Sequence, residues 1–269
     1  MTLRVLVLLI LALVAPLAQA ADRFIVVQST TSTENSGLYG WLLPQFTAES
    51  GIEVRVVAVG TGQALRNARN GDGDVLIVHA RAAEDAFVAD GHGVKRHDLM
   101  VNDFVIVGPR TDPADLNDSS KAAAALKRIA ETGVIFVSRG DDSGTHKKEL
   151  ALWRAAGLDP TGDGGAWYRE SGSGMGATLN IAIGMDAHTL TDRASWVSFG
   201  NKDDHVILVE GDPALQNPYG VILVNPEMHP GVRAGDGQIF IDWLLSPAGQ
   251  AAIAAFRVNG QQLFFPSAR

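Results

Sequence analysis

The chain has 269 residues, of which 46% are hydrophobic and 19% are charged, a composition typical of a globular protein rather than a disordered tail or a membrane bundle. Its formal net charge of −8 argues against nucleic-acid binding, which normally requires a basic surface. It contains no cysteine, which excludes disulfides, thiolate metal sites, cysteine nucleophiles and lipid attachment through a cysteine.

The N-terminus carries the pattern of a secretory signal. Arg4 supplies a positive charge, residues 5–17 form an apolar run, and Ala18-Gln19-Ala20 has the small side chains of a cleavage site. The apolar run is shorter than the ~20 residues that a membrane span needs. We therefore expect cleavage after Ala20 and a periplasmic mature protein, with an uncleaved N-terminal anchor as the alternative.

Three units of strand, turn and helix follow in the mature chain. Each begins with a short apolar or alternating stretch and continues with apolar residues at helical spacing. The predicted strands cover 24–28, 52–59 and 74–78, and the helical patterns cover 38–46, 64–68 and 83–88. Because strands joined by helices run parallel, these units predict an α/β fold with a parallel sheet.

The rest of the chain predicts a second α/β region and a return to the first. A strand over 104–107 is placed to cross between two lobes, and residues 217–220 are placed to cross back. Residues 159–176 are expected to form a long glycine-rich connection. The other predicted elements are helices over 119–132, 144–153, 175–185, 240–245 and 251–256, and strands over 134–137, 206–209 and 221–224.

Hydroxyl side chains stand at the strand-to-helix turns. They occur at Thr30-Thr31-Ser32, at Thr61, at Ser143-Gly144-Thr145 and at Ser171-Gly172-Ser173-Gly174. The first turn of a helix has free N–H groups and a positive dipole end, and the carboxyl ends of parallel strands share one edge of a sheet. These turns could therefore converge on one anion. The alternative at each single turn is that the hydroxyl only caps its helix.

One cation stands in the same pattern. Arg139 follows a predicted strand directly, inside a turn of glycine and aspartate. A buried guanidinium there could hold two oxygen atoms of an anion. A salt bridge to Asp141 or Asp142 explains its position equally well, and the local spacing does not choose between these alternatives.

Other kinds of chemistry find less support. The chain lacks a phosphate-binding P-loop and a dinucleotide fingerprint, and its histidines, among them His79, His92, His97 and His146, lack a zinc-motif spacing. Residues 71–74 resemble part of a calcium loop without its terminal glutamate. Ser143 and His146 beside Asp141 suggest a secreted hydrolase, but three residues of one local turn rarely form a triad, and no Gly-x-Ser-x-Gly elbow is present.

Five motifs in fixed order resemble those of the tungstate-binding proteins of ABC transporters, within the type II periplasmic substrate-binding superfamily. The resemblance covers residues 23–266. The motifs are Ser29-Thr30-Thr31-Ser32-Thr33, Val59-Gly60-Thr61-Gly62-Gln63-Ala64-Leu65, Asn102-Asp103-Phe104, Ser138-Arg139-Gly140-Asp141-Asp142-Ser143-Gly144-Thr145-His146 and Gly174-Met175-Gly176.

The resemblance implies a two-lobed α/β fold with two crossover segments and mixed sheets. Lobe I would comprise residues 21–103 and 219–269, and lobe II would comprise residues 104–218, after a signal peptide over 1–20. An oxyanion would bind in the cleft between the lobes. The implied ligand-binding residues are Thr30, Thr31, Ser32 and Thr61 on the first lobe, Arg139, Ser143 and Thr145 on the second, and Ser173 and His79 as further contributors. His188 departs from the family, which usually has tyrosine there, and we expect this departure to change a local contact near the cleft.

The function implied by the resemblance is capture of tungstate outside the cytoplasm and delivery to an ABC permease. The protein would be a monomer without cofactor, without a resident metal cation and without catalytic activity. Tungstate carries no proton at neutral pH, so hydroxyl, amide and guanidinium donors suit it, whereas hydrogenphosphate needs an acceptor. A molybdate or other tetrahedral oxyanion-binding protein is the alternative, followed by the hydrolase.

Overall fold

The computed structural model describes residues 23–116, 121–163 and 165–268. The predicted signal peptide lies outside these ranges, as do the first two residues of the helix predicted over 119–132. Among the described residues, no helix is long and apolar enough to cross a bilayer.

The strands and helices alternate through most of the chain. The strands are β1 (Phe24–Thr30), β2 (Glu53–Val59), β3 (Val75–Val78), β4 (Gly93–Pro109), β5 (Phe136–Ser138), β6 (Tyr168–Glu170), β7 (Thr189–Asp192), β8 (His205–Val209), β9 (Gln216–Val224), β10 (Arg257–Val258), β11 (Gln261–Gln262) and β12 (Phe265–Pro266). The helices are α1 (Thr31–Asn35), α2 (Leu38–Ser50), α3 (Thr61–Arg69), α4 (Arg81–Ala89), α5 (Ala122–Thr132), α6 (Gly144–Ala155), α7 (Pro160–Asp163), α8 (Met175–Gly184), α9 (Arg193–Ser198), α10 (Ala234–Leu245) and α11 (Pro247–Ala255).

The main sheet is mixed. Strands β2, β1 and β3 lie side by side and parallel, as the three strand-turn-helix units predict. Strand β9 then pairs antiparallel with β3 and with β4, and β12 closes the edge beside β4. Farther along β4, strands β7 and β8 pair with it antiparallel, while β5 and β6 form a separate parallel pair.

The two largest hydrophobic clusters of the described residues mark the two lobes. The first surrounds β1 and includes Phe46 and Phe240, and the second surrounds the far half of β4 and includes Trp153. Strand β4 passes from one to the other, because Met100 belongs to the first cluster and Phe104 to the second. The two-lobed α/β fold expected from the sequence is confirmed, with mixed sheets and strands that cross between the lobes.

Short elements account for most differences from the sequence prediction. The segment predicted as a connection over 159–176 contains α7 and β6, and the predictions omitted β7 and α9. These elements have three to six residues, which is too few to show a hydrophobic period. Strand β4 begins at Gly93, whereas the sequence predicted a strand only from residue 104. The prediction missed the first half because charged residues such as Lys95 and Asp98 interrupt its apolar pattern.

Helix α9 lies across the junction between the lobes. Its Ala194 packs in the first cluster, whereas Trp196 packs against Val105 and Val107 of β4 in the second lobe. Arg193, at the start of the helix, donates from Nε and Nη2 to the two carboxylate oxygens of Asp103 at 2.8 and 2.6 Å. This bidentate ion pair holds α9 to the crossing strand.

Candidate functional site

Three helices begin around one small cavity between the lobes. Their N-cap residues, Thr30 before α1, Gly60 before α3 and Ser143 before α6, all line it. The space between its lining residues is about 160 Å³, part of it open to solvent. Larger depressions elsewhere among the described residues, of about 590 to 1150 Å³, are wider surface grooves. The small cavity therefore collects the positive ends of three helices.

The structure brings together eight of the nine side chains that the sequence singled out. Those lining the cavity are Thr30, Thr31, Ser32, Thr61, His79, Arg139, Ser143 and Thr145. Ser173 is not among the lining residues, and its hydroxyl donates to the carbonyl of Ser171 at 3.1 Å. Sequence reasoning missed the roles of Val59, Gly60 and Gly144 in the wall, although all three stand inside motifs that it had identified.

The wall of the first lobe is a chain of hydroxyl groups. Thr30 Oγ1 lies 2.7 Å from Thr33 Oγ1 and 3.1 Å from Ser32 Oγ, and it also accepts the backbone N–H of Thr33 at 3.4 Å. Thr30 is therefore a helix cap as well as a lining residue. Capping occupies a lone pair of the oxygen, so the hydroxyl hydrogen can still be donated elsewhere.

The wall of the second lobe holds two donors without a protein partner. Arg139 is only 4% exposed, and its Nη2 donates to Asp141 Oδ2 at 2.5 Å. Its Nε and the Oγ1 of Thr145 are both buried with no hydrogen-bond partner among the described residues. Unsatisfied buried donors are costly, so this pair fits an anion in the cavity. The salt bridge to Asp141 and an anion-holding role for Arg139 are thus compatible.

Direct contacts hold the two lobes together over the cavity. The backbone N–H of Gly144 at the start of α6 donates to Thr61 Oγ1 at 3.1 Å. A Cβ atom on Gly144 would lie 2.8 Å from His79 Cε1 and 2.9 Å from that same hydroxyl oxygen. The described conformation is therefore closed, and glycine is needed at position 144 for the close approach.

His79 connects the cavity wall to both crossing strands. Its Nε2 lies 3.2 Å from Ser32 Oγ, and its Nδ1 lies 3.0 Å from Asn217 Oδ1 on β9. Asn217 in turn donates from Nδ2 to Asn102 Oδ1 on β4 at 2.7 Å. Burial, with a smaller contribution from the positive charge of Arg139, lowers the pKa of His79 to about 4, so the ring is neutral at neutral pH.

His188 lies in the interior of the second lobe and does not line the cavity. Its side chain is fully buried, and a Cβ on Gly108 would lie 2.6 Å from its Cδ2. Burial lowers the pKa of His188 to about 4. His188 therefore contributes to packing against β4 and not to the cavity wall.

The residues that suggested a hydrolase have other partners. Ser143 Oγ accepts the backbone N–H of His146 at 3.2 Å, as a helix cap does. The ring of His146 accepts the backbone N–H of Asp142 at its Nδ1, also at 3.2 Å, and its Nε2 lies 3.9 Å from Glu170. Within the described ranges, no group of three or more histidine, aspartate or glutamate side chains could hold a metal ion.

Comparison with known proteins identifies the family. A family model described as a PBP superfamily domain matches residues 15–248. The chain belongs to the PBP superfamily. Among its superfamily relatives is the tungstate-binding protein TupA of Peptoclostridium acidaminophilum, 47% identical over 248 residues that cover 91% of this chain and 86% of that protein.

Solved structures of other PBP superfamily members have the same fold. The tungstate-binding protein TupA from Desulfovibrio alaskensis G20 is 45% identical, with a TM-score of 0.81 and coverage of 92% of this chain and 100% of that one. The tungstate ABC transporter structure from Geobacter sulfurreducens is 48% identical, with a TM-score of 0.81 and coverage of 88% and 100%. The family resemblance inferred from the five motifs is confirmed.

Proposed function

We propose that this PBP superfamily protein binds tungstate between its lobes and delivers it to an ABC permease. The observation that carries the proposal is the pair of buried, unpartnered donors, Arg139 Nε and Thr145 Oγ1, in a cavity built by three helix N-termini. Close relatives of the chain are tungstate-binding proteins, which supports the same ligand. Arg139 would supply the guanidinium of the binding site. The other residues that we propose as ligand-binding are Thr30, Thr31, Ser32, Thr61, His79, Ser143 and Thr145.

The chemistry of the wall favours an unprotonated tetrahedral dianion. The lining side chains supply hydroxyl, imidazole and guanidinium groups, and none of the eight is a carboxylate. Hydrogenphosphate must donate its own proton, and the wall offers no carboxylate to accept it, only hydroxyl and imidazole groups. Sulfate is smaller and would leave some donors out of reach. Molybdate has the same charge and nearly the same size as tungstate, so a molybdate-binding role is the alternative to test.

Closure explains how binding would be signalled to the permease. An ion that contacts Thr61 on one lobe and Arg139 on the other binds the closed form more tightly than the open form, and so it shifts the population toward closure. Closing creates a composite surface from both lobes that a permease can recognise. Each charge-assisted hydrogen bond contributes about 1.5–3 kcal/mol, and several of them offset the desolvation of the ion.

The remaining parts of the proposal follow from this role. We place the lobe boundaries at 103/104 on β4 and 218/219 on β9, where the chain passes between the two hydrophobic clusters. The protein would act outside the cytoplasm as a monomer, after cleavage of its signal peptide behind Ala20. It would perform no catalysis and need no cofactor.

Competitive calorimetry tests the proposal. The protein is titrated with tungstate, and then with tungstate in the presence of molybdate, sulfate or hydrogenphosphate. We expect one tight site per chain, strong competition by molybdate, and weak or no competition by sulfate and hydrogenphosphate. Tighter binding of molybdate than of tungstate would favour the alternative ligand, and the absence of binding by any tetrahedral dianion would overturn the function.

A further inference from the structure

The hydrogen bonds of His79 determine which of its nitrogen atoms carries the proton. Asn217 uses its Nδ2 to donate to Asn102 Oδ1 at 2.7 Å, which turns its Oδ1 toward His79. That oxygen, 3.0 Å from His79 Nδ1, can only accept. The neutral ring therefore carries its hydrogen on Nδ1 and presents a bare lone pair at Nε2.

The bare Nε2 faces a hydroxyl that lines the cavity. Ser32 Oγ lies 3.2 Å from it and is 4% exposed as a residue, so its hydrogen is the donor that this lone pair can accept. While His79 is neutral, the hydrogen of Ser32 thus points toward the ring and away from the cavity. The hydroxyl then presents lone pairs to an incoming anion, which is the wrong polarity for binding.

The other charges near His79 leave a dianion incompletely balanced. Arg139 from the turn before α6 already pairs with Asp141 through Nη2. Three further cations, Lys147 and Lys148 of α6 and Arg81 of α4, line a neighbouring groove that His79 also borders. Each already has a partner: Lys147 pairs with Asp142, Arg81 pairs with Asp85 and Asp98, and Lys148 donates to a backbone carbonyl. The ring of His79 also contacts Tyr219, at a centroid distance of 4.7 Å, and Phe104, at 6.4 Å. The buried carboxylates of these elements have partners of their own, because Glu84 of α4 pairs with Arg96 and Asp192 of β7 accepts the Ser195 N–H.

We propose that binding of a tetrahedral dianion protonates His79 at Nε2 and turns the Ser32 hydroxyl toward the ion, so that one proton is taken up with each ion bound. The proton comes from the solvent. The imidazolium then donates from Nε2 to Ser32 Oγ and from Nδ1 to Asn217 Oδ1, and Ser32 donates to the ion. This inference rests on the proposed function, because it requires the dianion to occupy this cavity.

Electrostatics makes the uptake feasible near neutral pH. In the closed conformation without the ion, burial keeps the pKa of His79 at about 4. A nearby opposite charge moves a pKa by about 1 to 3, and tungstate brings two such charges to within one hydroxyl of the ring. A monoanion of the same shape and size, such as perrhenate, brings only half of that effect, so it should bind with much less proton uptake.

Calorimetry in two buffers of different ionisation enthalpy counts the protons. We expect tungstate at about pH 7 to bind with uptake of about one proton per ion. The dissociation constant should rise by up to about tenfold per pH unit between the pKa of His79 without the ion, about 4, and its raised pKa in the complex, and it should level off above that raised pKa. Perrhenate serves as the singly charged comparison. Tungstate binding with no proton uptake in the wild-type protein would overturn the inference while leaving the proposed function intact, whereas absence of tungstate binding would overturn the function itself.

Three variants assign the proton to His79. His79→Gln should still bind tungstate, more weakly, without proton uptake and with a dissociation constant that hardly changes with pH. Asn217→Asp should bind with reduced uptake, because a carboxylate opposite Nδ1 protonates the ring before the ion arrives. His146→Gln, which changes a nearby histidine outside the cavity wall, should keep the wild-type uptake. Wild-type proton uptake in both His79→Gln and Asn217→Asp would overturn the inference.

Discussion

Removal of the Arg139 side chain should have the largest effect on anion binding of any single substitution in the cavity wall. The residue is 4% exposed, and its Nε has no partner within the described structure. Arg139→Ala removes one or two charge-assisted hydrogen bonds to the ion at about 1.5–3 kcal/mol each. It also leaves the carboxylate of Asp141, now without its guanidinium, next to a dianion. We therefore expect a loss of about 3–5 kcal/mol, or roughly a hundredfold to a few thousandfold in the dissociation constant.

Calorimetric titration with tungstate measures this loss. Arg139→Ala/Asp141→Ala should recover part of it, because the double substitution also removes the repulsive carboxylate. Arg110→Ala is the matched control, since Arg110 is an exposed arginine that pairs with Asp204 on the surface of the same lobe. A dissociation constant for Arg139→Ala within threefold of the wild-type value would refute the assignment of this arginine to the site.

Three further predictions concern closure, capping and pH. Gly144→Ala should weaken tungstate binding at least about tenfold, because its Cβ would meet His79 and Thr61 when the lobes close. Gly176→Ala, with open space around its Cβ, should bind tungstate normally. Equal affinities of the two variants would contradict the closed geometry. Ser143→Ala and Ser246→Ala each remove a helix cap and should each lower the free energy of unfolding, measured with denaturant, by about 1 kcal/mol. Only Ser143→Ala should also weaken tungstate binding. Ester turnover that Ser143→Ala abolishes would instead favour the hydrolase. Burial raises the pKa of Glu149 to about 7 from its ordinary 4.5. Its contribution to stability is therefore complete below about pH 4.5 and is lost as the pH rises to about 7. Glu149→Gln should flatten this part of the stability profile by about 3 kcal/mol, and an unchanged slope would show that Glu149 does not cause this pH dependence.

The sequence contained enough information to predict the parallel strands and most of the cavity wall. The turns at Thr30, Thr61 and Ser143 combine a strand end, a hydroxyl and a helix start, and parallel topology brings such turns to one edge of the sheet. Ser173 has the same local pattern, yet its hydroxyl bonds to Ser171 beside it. A local pattern shows that a turn can present a hydroxyl, but it does not show which way the turn faces.

Long-range contacts account for what the sequence could not predict. The hydrogen bond between His79 and Asn217 joins residues 138 positions apart, and no periodicity or motif relates them. The fit of Gly144 against Thr61 likewise depends on how the two lobes approach each other. Short elements such as α9 owe their form to packing against both lobes, because an isolated helix of six residues is not stable in water.

The continuity of β4 has a mechanical consequence. This strand of 17 residues is hydrogen-bonded into both lobes, and its pairing with β9 is irregular between Asp98 and Met100. Where ladder bonds are already interrupted, a strand bends and twists at little additional cost. An opening movement would therefore bend the sheet that the lobes share, and it would not depend on a flexible linker. Each cycle of release and capture would return the same donors to the same positions.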